Sequence, residues 1–374
     1  MTAGPRRRGL PRRRRTFTAL SILTASAIAL TACSSGSSDS KATAGAGGGA
    51  DAGKPLKMGF IYATSTQNPF QEMAFGAKAA ADQAGNVTLN QAAPVGVNGP
   101  AQVQLFQSAI RNSPDGIALE TLTPDLFVRP LNQASDQNIP LAAVDTAAPP
   151  GTKVGLYVGN SNAELGTALG MEFIKHVPAD AKGEVVIGND IPGLQLLVQR
   201  ADALIAVIKK ERPGLTISGP FDAKSEPTDN FNAWQGIVKA HPKAIAFLGV
   251  GGQDGVSLPL IQQQTGRKFL AGSADIPPEA LQAVKNGQLF ALSSPEHWLK
   301  GYVAMRLLIE SKRTGKPMPT GWWNPGTLIV NKDNVDEIIK RQVDPASRAA
   351  YFKAIVDKQF ADPNSYLKPI TEAN

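Results

Sequence analysis

The 374-residue sequence has one cysteine, Cys33, and three histidines. A lone thiol excludes an internal disulfide, so stability must come from packing. Three scattered histidines with no second cysteine give no metal-ligand spacing, and neither a metal nor a cofactor is expected. His176 and His241 end helical stretches just before Val-Pro and Pro, and read as last-turn residues. No GxSxG elbow is present, and the strand-end carboxylates form no assignable pair, which argues against hydrolases, glycosidases included. Outside the first 32 residues the chain also lacks net charge. Seven arginines (6 to 8 and 12 to 15) lie in that segment, which has no Lys, Asp or Glu; without them 31 basic residues face 31 acidic ones. The apparent excess of +7 therefore gives the body no bulk attraction to a phosphate backbone, and no nucleic-acid partner is expected.

The same opening segment is what an export signal needs: basic residues, then the apolar run "TFTALSILTASAIAL", then small residues. That run, Thr16 to Leu30, is shorter than the roughly 20 residues of a membrane-spanning helix. It ends in "LTAC", Leu30 to Cys33, which resembles the lipobox of bacterial lipoproteins. The resemblance implies cleavage after residue 32, lipid on Cys33 and anchoring at the outer face of the cytoplasmic membrane. "RRTF", Arg14 to Phe17, partly matches a twin-arginine export motif, so the route stays open between that pathway and general secretion. Residues 33–55, rich in Gly, Ala and Ser, then read as a disordered tether with a reach of roughly 25 Å.

From Leu56 onward, short apolar runs alternate with amphipathic stretches. The runs "KMGFIYA", "VTLNQA", "GIALET", "PLAAVDT", "KVGLYVG", "GEVVIGND", "LTISGPF", "AIAFLGV", "KFLAGSAD", "LFALSS" and "TLIVN" read as eleven strands. Helical patterns stand between most of them, which predicts parallel sheets flanked by helices. A polar break at 159–162 suggests two such sheets. Ligands of such sheets bind beyond the carboxyl ends of the strands, so the residues just after each strand are the candidates. Of the seven such junctions singled out, five contain an Asp and a sixth a Glu.

Four of these pieces, "NPF" (68–70), "NIPLAAVDT" (138–146), "HPKAIAFLG" (241–249) and Asp275 with "EALQAVKNGQL" (279–289), resemble the ribose/galactose-type periplasmic binding proteins, the sugar-binding subunits of ABC importers. The resemblance covers about Lys57 to Val330. It implies two Rossmann-like lobes joined by three hinge crossings, closing over one sugar or polyol for delivery to a membrane permease by a monomeric, non-enzymatic receptor. With those crossings the expected lobes are 56–158 plus 295–328, and 159–294 plus 329–374 as second lobe and tail. Carried over residue by residue, it makes Asn68, Phe70, Asp145 and Asp275 ligand residues. The sequence departs from the pattern in several places. Gln71 replaces an aromatic, Asp145-Thr146 lacks a following arginine, "GGQDG" replaces Asn-Asp, and "PEHW" replaces a Gln.

These departures, with the strand-end positions of Asp190 and Asp222, add Gln71, Asp190, Asp254, Glu296 and His297 to the expected ligand set, with Arg200, Asp222, Gln253 and Trp298 as further candidates. Each has a structural alternative. Asn68 with Pro69 and Gln71 fits a helix cap and capping box, Phe70 and Trp298 fit core packing, the aspartates fit turns, and Arg200 fits an ion pair. Two other functions stay open at this point. One is a receptor docking on a membrane histidine kinase. The other is an exported NAD(P) oxidoreductase, suggested by the glycines of "GVGGQDG", although the spacing lacks one glycine of a dinucleotide fingerprint.

Overall fold

The computed structural model describes residues 53–373. The expected signal segment, Cys33 and nearly all of the tether lie outside them, so the readings made of those residues are not addressed by the fold.

All eleven expected strands form. The first lobe holds β1 (Leu56–Ile61), β2 (Val87–Ala92), β3 (Gly116–Glu120), β4 (Leu141–Val144) and β5 (Leu156–Val158). Neighbours pair in parallel in the order β5-β4-β3-β1-β2. The second lobe repeats the plan with β6 (Gly183–Asn189), β7 (Leu215–Asp222), β8 (Ala246–Gly249), β9 (Leu270–Ala274) and β10 (Ala291–Ser294), ordered β10-β9-β8-β6-β7, with β12 (Leu328–Asn331) antiparallel at the edge. The short central strands β3, β4, β5, β8 and β10 are buried along their whole length, as expected of a sheet covered on both faces.

Two strands were not visible in the sequence. β11 (Gly321–Trp323) extends the first sheet beside β5, and the two-residue β13 (Leu367–Lys368) pairs with β11. The chain crosses between lobes after β5, after β10 and after β11, giving the three expected crossings. A fourth follows α10 (Val335–Arg341): the helix α11 (Pro345–Ala361) and β13 return to the first lobe. Of residues 329–374, β12 and α10 thus pack with the second sheet, and the tail, α11 and β13, packs with the first. The reason is burial. Phe352 of α11 stacks on Trp298 with ring centroids 4.7 Å apart, and Arg348 makes a bidentate pair with the buried Glu72.

Helix α1 (Asn68–Ala84) covers one face of the first sheet together with α9 (His297–Thr314), the helix entered at the second crossing. Their backbones touch at two glycines. A Cβ on Gly76 would lie 1.9 Å from the carbonyl oxygen of Trp298, and one on Gly301 would lie 1.8 Å from that of Met73. This contact fixes the first turn of α9, with His297 and Lys300, against the carboxyl end of β4.

Candidate functional site

The carboxyl ends of both sheets meet at a cleft between the lobes. Gln67 bridges it, its Nε2 reaching Ser225 O and Glu226 Oε1 at 3.4 Å, while Val97 N donates to the same carboxylate oxygen at 3.3 Å. Two adjoining cavities lie in the cleft: one of about 60 Å³ lined by Gln67 and Ser225, called the inner cavity, and one of about 830 Å³, called the outer.

Six of the expected residues wall the inner cavity: Phe70, Asp145, Asp190, Arg200, Asp275 and His297. Asp145 follows β4 and Asp275 follows β9, both in left-handed backbone with φ of 63°. Such a conformation is strained for a non-glycine residue, and the surrounding hydrogen bonds hold it. The Nζ of Lys300 donates to Asp145 Oδ1, while His297 Nε2 lies 2.8 Å from Asp275 Oδ1. Lys300 Nζ and His297 Nδ1 are 3.3 Å apart, so two acids and two basic groups form one buried chain across the lobes.

Burial alone would push Asp145 up, but Lys300, and behind it His297 and Arg200, outweigh burial and hold its carboxyl at about 2. Asp275 is likewise pushed up by burial but held below its ordinary value by His297, then Arg200 and Lys300. Asp190 goes the other way: burial first, and then the charge of Asp254, push it well above the usual range. Behind Asp145, Glu120 is also raised by burial and then by Asp145; its Oε2 accepts from Ala63 N at 2.7 Å. Arg200 enters from helix α5 (Gln195–Glu211), its two terminal nitrogens donating to Val250 O at 2.7 Å and Asn162 Oδ1 at 2.9 Å, while its Nε is buried and unpartnered.

The other expected residues stand elsewhere. Gln67, not Asn68, precedes the helix at the cap position; Asn68 is its first residue, and its Oδ1 is buried without a partner outside the cavity wall. Gln71 neither closes a capping box nor faces the cavity, because its Nε2 donates to Ser65 O at 2.8 Å and locks the β1–α1 turn. Asp254 is fully buried behind Asp190, accepting from Trp234 Nε1 at 2.6 Å, Asn230 Nδ2 at 2.9 Å and Gly251 N at 3.0 Å. Asp222 is exposed and paired with Lys224. Glu296 pairs with the buried Arg341 at 2.8 Å, Gln253 precedes helix α7 (Asp254–Thr265) without reaching the cavity, and Trp298 packs between Tyr302 and Phe352 in the core.

Sequence reasoning missed Lys300, Gln67 and the aliphatic walls. Lys300 had a readable signal: it lies three residues after His297, hence on the same helical face. It pairs with Asp145, which has no arginine after it in this sequence.

Residues 58–316 match the family described as "Periplasmic binding protein domain". The chain belongs to the periplasmic binding protein family. Among its relatives is the xylose/arabinose-binding protein XylF of Sulfolobus acidocaldarius, 21% identical over 266 residues, covering 66% of this chain. The match spans 64% of that relative, under two thirds of its length. Among solved structures, this binding protein shares its fold with GanP, a glucose-galactose binding protein of Geobacillus stearothermophilus, at 24% identity and a TM-score of 0.67, over 75% of this chain and 98% of that one. It shares it also with an ABC transporter solute-binding protein of Burkholderia graminis in complex with D-arabinose, at 22% identity and a TM-score of 0.68, over 75% and 97% of the two chains.

Proposed function

We propose that this chain is the extracytoplasmic receptor of an ABC importer, closing its two lobes over a monosaccharide or related polyol and handing it to a membrane permease, as a monomer held to the outer face of the cytoplasmic membrane by lipid on Cys33. The observation that carries the reading is the placing of Asp145 and Asp275 on opposite lobes, in rigid strand-end backbone, on the wall of one cavity. Carboxylates so held accept paired hydroxyl groups in a plane, and a ligand that touches both favours the closed form through differential affinity. The relatives named for pentose and hexose binding support the same reading. With Asp145 paired to Lys300 and Arg200 on the same wall as Asp275, neither sign of charge dominates, and the wall suits an uncharged ligand better than a sugar phosphate.

The test is a thermal-shift screen of the purified protein against pentoses, hexoses, polyols and amino sugars. A ligand of the folded state at one hundred times its Kd adds about 2.7 kcal/mol, a shift of several degrees. If no sugar or polyol shifts the transition while a nucleotide or peptide does, the reading falls.

A further inference from the structure

Among the described residues, six that are not glycine have a positive φ, and three of them, Asp145, Asp275 and Glu296, stand at or beside the cleft. Asn and Asp tolerate that conformation, whereas a glutamate needs its surroundings to impose it. Glu296 has φ of 51° and ψ of 50° within the second crossing, immediately before α9, so the path of its backbone decides where that helix starts. Its buried carboxylate is held at both oxygens. Oε1 accepts from Ser294 Oγ at 2.8 Å, and Oε2 accepts from Arg341 Nη1 at 2.8 Å.

Arg341 is the last residue of α10, on the second lobe, and is buried. Its guanidinium carbon lies 4.8 Å from the ring centre of Tyr351 and 4.9 Å from that of Phe352, both on α11. That helix packs with the first lobe, and Tyr351 touches the cores of both. One guanidinium thus joins α10, α11 and the second crossing, and neither Arg341 nor Glu296 lines the cleft cavities. What they adjoin is the ligand wall. His297, next in the chain, has Nε2 2.8 Å from Asp275 Oδ1, and Lys300, one turn on, donates to Asp145.

We propose that Arg341 is a positioning residue of the ligand site: through Glu296 it holds the first turn of α9 so that His297 and Lys300 aim Asp275 and Asp145 at one bound molecule. The proposal deepens the sugar-binding reading and takes from it only that the cleft is the ligand site. A buried ion pair is a weak source of stability beside apolar packing of equal volume, but a guanidinium fork has fixed direction, and direction is what this corner needs. A supporting shell that loosens by about 1 Å spoils the site it carries.

The experiment uses the three histidines of the chain as reporters, in protein carrying isotope-labelled histidine, with imidazole resonances assigned from His→Gln variants. Arg341→Met is expected to move the His297 resonances and to leave those of His176 and His241, on the second lobe, in place. By calorimetry, the monosaccharide giving the largest shift in the thermal screen should bind this variant about tenfold more weakly. Arg341→Lys, which keeps the charge, should recover part of both effects. Ile338→Ala, a cavity nearly one turn earlier on α10, should lower the melting temperature while moving neither the His297 resonances nor the affinity. If Arg341→Met behaves as Ile338→Ala does, the pair only packs the tail and the proposal falls. Should Arg341→Met not fold, Glu296→Gln combined with it removes both charges and is read the same way. If no monosaccharide binds the wild type, the sugar reading falls, and the His297 resonances alone decide whether Arg341 positions this turn.

Discussion

Asp145 and Asp275 are structural equivalents, one per lobe. Each is the residue after the fourth strand of its sheet, each has φ of 63°, and each donates its backbone N–H at 2.9 Å to the next strand, Asp145 to Val158 O and Asp275 to Ser293 O. Both carboxylates are served from a single helical turn, Asp145 by Lys300 and Asp275 by His297. The first turn of α9 thus sits where the lobes join and gives both carboxylates a hydrogen-bond partner at once. A receptor that closes must keep its hinge-side charges paired as the lobes move, and this turn places both partners on one rigid element.

Lys300→Met should leave Asp145 buried without its ammonium partner. Removing one member of a buried pair costs about 3–5 kcal/mol at neutral pH. In the wild type, Asp145 titrates at about 2, below an ordinary aspartate near 3.9, so its contribution of roughly 2–3 kcal/mol is present above pH 4 and is lost as pH falls toward 2. In the variant burial prevails, Asp145 takes up a proton more readily, and the destabilisation should shrink as pH is lowered toward 5. Adding Asp145→Asn should restore part of the loss. Denaturant melts at pH 5 and 7.5 check this; a loss independent of pH and additive with Asp145→Asn would refute it.

The sequence made the fold legible because the strands are continuous apolar runs separated by amphipathic helices, and Asp145, Asp190 and Asp275 were legible because they end such runs. Position after a strand does not fix direction. Asp254 lies in the junction after β8, at the start of α7, yet Trp234 and Asn230 draw its carboxylate inward, and those partners lie 20 and 24 residues away in sequence. Lys300 escaped notice because a cation inside "LKGYVAMRLLIE" reads as a solvated helical face, and only the non-local approach of β4 buries it. The return of the tail was illegible for a similar reason: β13 is two residues long and carries no periodic signal of its own.

Glu120→Gln and Asp190→Asn test the opposite shift. Both carboxyls are raised by burial, then by Asp145 and by Asp254 respectively, so the folded protein holds protons that the unfolded chain releases above about pH 4. Stability from these sites is therefore full below the unfolded value and falls as pH rises toward the folded value, by up to about 1.4 kcal/mol per pH unit per group. The amides copy the neutral acids in shape, so each variant should match the wild type at pH 4 and exceed it at pH 8. Unfolding free energies at the two pH values decide the matter, and a variant weaker at pH 8 than at pH 4 relative to wild type would count against it.

Gly301→Val places side-chain atoms where the α9 backbone meets α1, since even a Cβ would sit 1.8 Å from Met73 O. Carbonyl oxygen is backbone and cannot swing aside, so the helices must part. The cost is expected at the upper end of the roughly 1–3 kcal/mol typical of overpacking or beyond it. Because α9 carries His297 and Lys300, ligand affinity should fall together with melting temperature. A variant that melts as wild type would show that the helices are not held in this contact.

Arg348→Ala tests the fastening of the tail to the first lobe. Glu72 is 3% exposed, and Arg348 is its bidentate partner, with Nε 3.0 Å and Nη2 2.7 Å from the carboxylate oxygens. Cutting the guanidinium away leaves a buried carboxylate unpaired and loosens α11, whose Phe352 covers Trp298. A loss of about 3–5 kcal/mol is expected, with quenching or a spectral shift of Trp298 fluorescence as its face is uncovered. Glu72→Gln in the same chain should recover part of the loss, because the charge that needed burial is gone. If the single variant is neutral, or if the double variant is as unstable as the sum of the two single ones, the pair does not hold the tail, and the stacked aromatics alone must anchor α11.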